Sequence, residues 1–224
     1  MSSPAISTLK MMLAKDLVRE MRSKEIFLSS FLFSVILMAA FHFASAANRM
    51  PIEYIPTTAL WVCILFSGTL GLNRTHASEL KNGCFRALML APKEAGWIYL
   101  AKVTSNALLL GFTLCLLVPI LVLFFQFNPG SALFPLLLSL ILGILGFVAV
   151  GTVIVAVTAN TRMSDILFPI IQLPLQVPVL IAGTQATQLC LEGKTPTDWW
   201  QFLVAINVVY LSIGFLVYEF LLEE

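Results

Sequence analysis

The chain is 224 residues long, carries a formal net charge of +1, and is 59% hydrophobic with only 11% charged side chains. A water-soluble core of this length cannot bury so much apolar side chain, so the composition reads as a membrane protein. The balanced charge gives no electrostatic footprint for nucleic acid, because the basic residues follow membrane topology, as set out below.

The first segment is amphipathic. Ile6, Leu9, Leu13, Leu17 and Met21 recur at helical steps while Lys15, Arg19 and Arg22 form another row, which predicts a helix over 5–24 lying in the headgroup layer, with a solvated arm as the alternative. Beyond it the charges are confined. No ionised side chain falls between Glu25 and Arg49, Tyr54 and Arg74, Val103 and Arg162, Ile166 and Glu192, or Trp199 and Glu219. A charge at the centre of an inserted helix costs roughly 2.5–3.5 kcal/mol, so gaps of this kind mark spans, and about 20 residues suffice to cross. The longest gap holds two spans divided by the turn residues of "QFNPGS", Gln126 to Ser131. The expected fold is therefore all-α, with six transmembrane helices at 26–47, 56–74, 97–125, 131–158, 164–184 and 200–220.

Two stretches imitate other functions. "HFASAAN" at 42–48 contains an Ala-x-Ala pattern, but the charged region before the apolar run is too long for a secretory signal and the run itself is of span length, so residues 1–47 are expected to stay on the protein. "LEGKT" ends like a phosphate-binding loop, yet Gln188 stands where that loop needs its first glycine. A turn is the expected reading, and no ATP site is assigned to the chain. No catalytic or metal-binding constellation is expected either. His42 and His76 fall on opposite predicted faces of the membrane, and Cys63, Cys84, Cys115 and Cys190 show no redox or haem-attachment spacing.

The segment between spans 2 and 3, "SELKNGCFRALMLAPKEAG", concentrates charge where the other connections are short. Leu80, Cys84, Leu88 and Ala91 form one stripe, Glu79, Asn82 and Arg86 another, and Pro92 ends the pattern, predicting a short helix over 79–92. Its mixed apolar and charged surface, with Phe85 and Met89 beside the charges, suits docking to another protein, an ordinary solvated connector being the alternative. Of the thirteen Lys and Arg residues, all but Arg49 and Lys194 fall on the side of this segment and the termini, so both termini are expected to be cytoplasmic. In span 5, Pro169, Pro174 and Pro178 each remove a backbone donor and, with Gln176, are candidates for a gate or pathway, simple bent packing being the alternative.

Two motifs carry a family resemblance. "ELKNGCFRALMLAPKEAGWIYLAKV" has Glu79, Gly83, Leu88, Leu90, Pro92 and Lys102 in register, and "LFPIIQLPLQVPVLIAGTQA" has Leu173-Pro174-Leu175 and Pro178-x-Leu180-Ile181. Together, at this length and with the Gly143 to Gly151 glycines of span 4, they resemble the CcmB family, the permease proteins of the haem exporter in cytochrome c biogenesis. The first motif is shared in looser form by ABC-2-type exporter permeases. The family commonly has an acidic residue where this chain has Arg86, and often where it has Asn73, so individual contacts with a partner are not carried over one to one.

The resemblance implies an inner-membrane permease without an ATPase of its own. It implies a homodimer working with a CcmA-like ATP-binding subunit and with CcmC-like and CcmD-like membrane partners. ATP would be bound by the partner alone, and haem would be a possible cargo or the load of a chaperone, CcmE, released by ATP hydrolysis. Residues 79–92 would be the coupling helix, with Glu79, Gly83, Phe85, Arg86, Leu88, Met89 and Pro92 against the ATPase. A permease for a lipid, drug or polysaccharide, and a non-transporting scaffold, are the alternatives.

Overall fold

The computed structural model of the chain describes residues 25–48, 54–81, 95–126, 132–158, 161 and 163–223. The predicted interfacial helix at 5–24, and the predicted coupling helix beyond Lys81, lie outside the described residues. The described residues form six helices: α1 (Glu25–Asn48), α2 (Ile55–Lys81), α3 (Ala95–Phe125), α4 (Leu133–Thr158), α5 (Ser164–Leu191) and α6 (Thr197–Glu223). No strand occurs among the described residues, and each helix contains a stretch long and apolar enough to cross a membrane. The fold is an all-α, six-span membrane protein.

Helices are what hydrocarbon demands, since every backbone N–H and C=O must be paired within the segment. Hydroxyl side chains obey the same rule. Ser34, Thr69, Thr104, Thr113, Ser139 and Thr158 each donate to the carbonyl four residues earlier, at 2.6–3.0 Å. The sequence spacing ends the fifth span at 184, but α5 continues to Leu191, because Thr187 and Gln188, which lower its hydropathy, find partners on α2. It stops at Gly193, whose φ of 74° is open to glycine at little cost. There the N–H groups of Gly193 and Lys194 return to the carbonyls of Cys190 and Leu189, a helix C-cap of Schellman type. The "LEGKT" residues are therefore the end of a helix and its turn.

The core is centred on α4, which packs against α2, α3, α5 and α6 and buries residues around most of its circumference, from Leu136 to Thr158. α1 is peripheral, seated mainly on α2 and α3. Outward-facing residues such as Ile36, Leu123, Phe134, Leu216 and Phe220 are large and apolar, as contact with lipid chains requires. The apolar stretch of α2 ends at Thr75, while its helical backbone runs on to Lys81. α3, with 31 residues, is about 46 Å long at 1.5 Å per residue, well beyond the roughly 30 Å of a hydrocarbon core. Of the two helices that flank residues 82–94, α2 thus continues past its apolar stretch, while α3 is apolar from Gly96 onward.

Candidate functional site

The proline helix is stapled to its neighbours by side-chain amides and aromatic groups. α5 remains helical throughout despite Pro169, Pro174 and Pro178. Proline at 174 and at 178 removes the N–H that the carbonyls of Ile170 and Pro174 would have received. One turn before Pro178, the Leu175 carbonyl accepts a 2.7 Å hydrogen bond from Tyr210 Oη of α6. Pro174 faces outward, Pro169 and Pro178 are half-buried, and Gln176 is fully buried. Its Nε2 donates to the Phe147 carbonyl of α4 at 2.8 Å. Asn207 of α6 reaches α4 in the same way, with Nδ2 donating to the Leu142 carbonyl at 2.9 Å.

Farther along α5, Thr187 Oγ1 accepts from Trp61 Nε1 of α2 at 3.0 Å, and Gln188 Oε1 accepts from Thr57 Oγ1 at 3.1 Å. Interhelical bonds of this kind contribute about 0.6 kcal/mol each inside a membrane. Their joint effect is to fix α5 against α2, α4 and α6 without any ionised group.

Close packing explains the glycines. The Trp61 indole is inserted between Gly143 of α4 and Gly183 of α5, and a Cβ at either would overlap the ring. The Phe147 ring fills the space over Gly68, and Tyr99 lies against Gly214 with its hydroxyl donating to the Ala149 carbonyl at 3.0 Å. Beside Gly151, where a Cβ would stand 3.0 Å from the amide nitrogen of Gln172, that glutamine is fully buried. Among the described residues neither of its amide atoms has a hydrogen-bond partner, and Gln176 Oε1, Thr152 Oγ1 and Asn207 Oδ1 also lack one.

The sequence signals for this arrangement were present but unpaired. Trp61, Thr187, Asn207 and Tyr210 were not singled out, although an asparagine within an apolar span is itself a marker of an interhelical contact. Of the expected coupling helix, only the backbone at Glu79–Lys81 is described, as the end of α2. Gly83, Phe85, Arg86, Leu88, Met89 and Pro92 lie outside the described residues, so the structure does not bring them together with anything.

Chemistry at the ends of the spans is sparse. His42, near the end of α1, sits among the rings of Phe43, Phe124 and Phe125, with centroids 5.4–5.6 Å away. No group of three or more His, Cys, Asp or Glu side chains able to hold a metal occurs among the described residues. On the turn after α5, the Lys194 ammonium lies 2.8 Å from Glu192 and, helped by the Gln188 amide, lowers that carboxyl's pKa.

These features define a multi-pass membrane protein whose interior is held by neutral hydrogen bonds and aromatic-on-glycine contacts. Comparison with known proteins makes the assignment specific. The chain belongs to the CcmB family, whose profile, described as CcmB protein, matches residues 7–219. Curated relatives include "Heme exporter protein B" of Pseudomonas aeruginosa, 28% identical over 81% of this chain and 81% of that one. Its namesake in Paracoccus denitrificans is 29% identical over 92% of this chain and 94% of the relative. That of Haemophilus influenzae is 28% identical over 78% of each.

Proposed function

We propose that this chain is the permease subunit of a haem-exporter ABC complex serving cytochrome c maturation, placed in the bacterial inner membrane with both termini cytoplasmic. The observation that carries this reading is the family match over residues 7–219, joined to relatives named for haem export. In this reading the ATPase resides in a separate, CcmA-like subunit that seats residues 79–92, and CcmC-like and CcmD-like partners complete the assembly.

The helices suit that role. α2 and α3 flank the proposed docking segment in the chain, so movement of a seated loop would reach them as a rigid-body displacement. α2 is joined to α5 through Trp61–Thr187 and Thr57–Gln188, and α5 to α4 and α6 through Gln176 and Tyr210. Motion entering at α2 would therefore pass to the proline helix. Haem, as cargo, would travel at a surface shared between two copies or between subunits. The pocket between α1, α2 and α3 has about 40 Å³ of space, far less than a porphyrin needs.

Mild-detergent purification from a strain making cytochrome c tests the proposal. Recovery of an ATP-binding subunit together with a haem-handling membrane protein supports it, and a chain recovered alone, whose deletion leaves holocytochrome yield intact, overturns it. Reporter fusions after Lys93, Arg162 and Glu224 should read cytoplasmic, and those near Arg49, Asn128 and Lys194 external.

A further inference from the structure

The interior of this bundle differs from one side to the other. Around Trp61 and Phe147, rings close on glycines and leave no space for a Cβ. Between α1, α2 and α3 there is a pocket of about 40 Å³, lined by Ser30, Ser67, Gly71, Asn106 and Thr113 among others. Ser30 is 5% exposed and Ser67 only 2%. Among the described residues, neither hydroxyl oxygen has a hydrogen-bond partner. The Thr113 hydroxyl donates to the Leu109 carbonyl at 3.0 Å and that of Thr75, also on the wall, to the Gly71 carbonyl at 2.9 Å, so both oxygens keep acceptor capacity toward the pocket.

The occupant of such a space is constrained. No ionised side chain lines it, so an ion would gain no counter-charge. A guest that both donates and accepts serves the serine hydroxyls and the Thr75 and Thr113 oxygens together, which a lipid ester oxygen, an acceptor only, does not. One water needs roughly 10–15 Å³ measured in this way, and two to four polar partners. We propose that the pocket is a resident hydration site holding about three ordered waters, bridging Ser30 of α1, Ser67 of α2 and Asn106 of α3. The Phe27–Phe112 contact, with ring centroids 5.1 Å apart, ties α1 to α3 beside it. α1 and α2 are also bonded directly, Arg74 donating to Ser29 Oγ at 2.8 Å and Cys63 Sγ to the Ser34 carbonyl at 3.4 Å; between those two contacts the waters form a seam that also reaches α3 and can rearrange.

Hydroxyl-radical labelling by X-ray radiolysis, read by mass spectrometry on the full chain in lipid nanodiscs, tests this, because radicals form where bound water is. Leu72 and Leu110, which line the pocket, should be modified at least threefold more than Leu117 and Leu121, which are equally apolar and buried in the core. In Ser30→Ala/Ser67→Ala the excess should fall by half or more. Gly71→Ala provides a second variant, because its Cβ would meet nothing closer than Ser30 Oγ at 3.8 Å. It should fold normally and lower the labelling by occupying water space. Equal labelling of all four leucines in the wild type, or an excess unchanged in both variants, overturns the proposal.

Discussion

The Trp61 slot offers a quantitative test of how this bundle is held. The indole is 2% exposed, and a methyl group placed on Gly183 would overlap its six-membered ring. Because the facing side of the slot is Gly143, the ring cannot retreat toward α4. Gly183→Ala should therefore cost about 1–3 kcal/mol, the range for overpacking a dense core. If the ring shifts to escape, it gives up the 3.0 Å bond to Thr187 Oγ1, a further loss of about 0.6 kcal/mol. Trp61→Phe removes the outer ring and the donor, at about 1–2 kcal/mol from the lost bond and the space left behind.

In the double variant, phenylalanine vacates the volume that the new methyl needs. The two changes should then couple by about 1–3 kcal/mol, leaving Gly183→Ala/Trp61→Phe no worse than Trp61→Phe alone. Unfolding of the purified chain in mixed micelles, followed by circular dichroism across a denaturing-detergent titration, measures each corner of the cycle. Gly111→Ala serves as control, since nothing lies within 4 Å of its added Cβ, and alanine there should be neutral or stabilising by up to about 1 kcal/mol through helix propensity. Costs that add within about 0.5 kcal/mol would refute the slot, because groups that do not touch are additive.

The amides of α5 should respond with opposite signs. Gln172→Leu removes a buried group with no hydrogen-bond partner among the described residues and should leave stability unchanged or raise it, whereas Gln176→Leu breaks the 2.8 Å bond to the Phe147 carbonyl and should lower it by about 0.6–1.7 kcal/mol in the same titration. Replacing Pro174 and Pro178 together by alanine restores two backbone donors; assembly should survive while holocytochrome yield falls, and an unchanged yield would mean the prolines serve packing alone. At the proposed docking segment, Glu79→Lys and Arg86→Glu should reduce co-purification of the ATP-binding subunit at equal membrane abundance, by an amount corresponding to about 2–5 kcal/mol if the reversed charge leaves a partner unpaired. Wild-type association in both would mean that this segment is a solvated connector.

The spans were legible because the bilayer imposes one rule on every residue: no charge and no open backbone group within its thickness. Charge-free gaps therefore carry most of the helix count, α1 being a simple case, whereas α3 and α4 share one gap that only the turn residues at 126–131 divide. The expected end of α5 at 184 follows the length needed to cross, although the charge-free gap runs to Glu192; Thr187 and Gln188 look like a loop but are held by Trp61 and Thr57. A window along the chain cannot register a partner 126 or 131 residues away. The same blindness hid the pairing of Gly143 with Gly183, since each glycine alone reads as a flexible point and only the ring between them shows a slot.

The prolines of α5 show why reading a gate from sequence is harder still. A proline in a helix says which N–H is missing, but the consequence depends on what faces the weakened turn. Here α5 stays helical although the carbonyls of Ile170 and Pro174 lose a donor, while Tyr210 bonds the neighbouring Leu175 carbonyl and Gln176 ties the helix to α4. A helix weakened in its own backbone yet held by side chains from α4 and α6 can change shape only if those helices move with it. In the proposed mechanism, displacement arriving through α2 and Trp61 would act on α4, α5 and α6 together, and the prolines would set where that group yields.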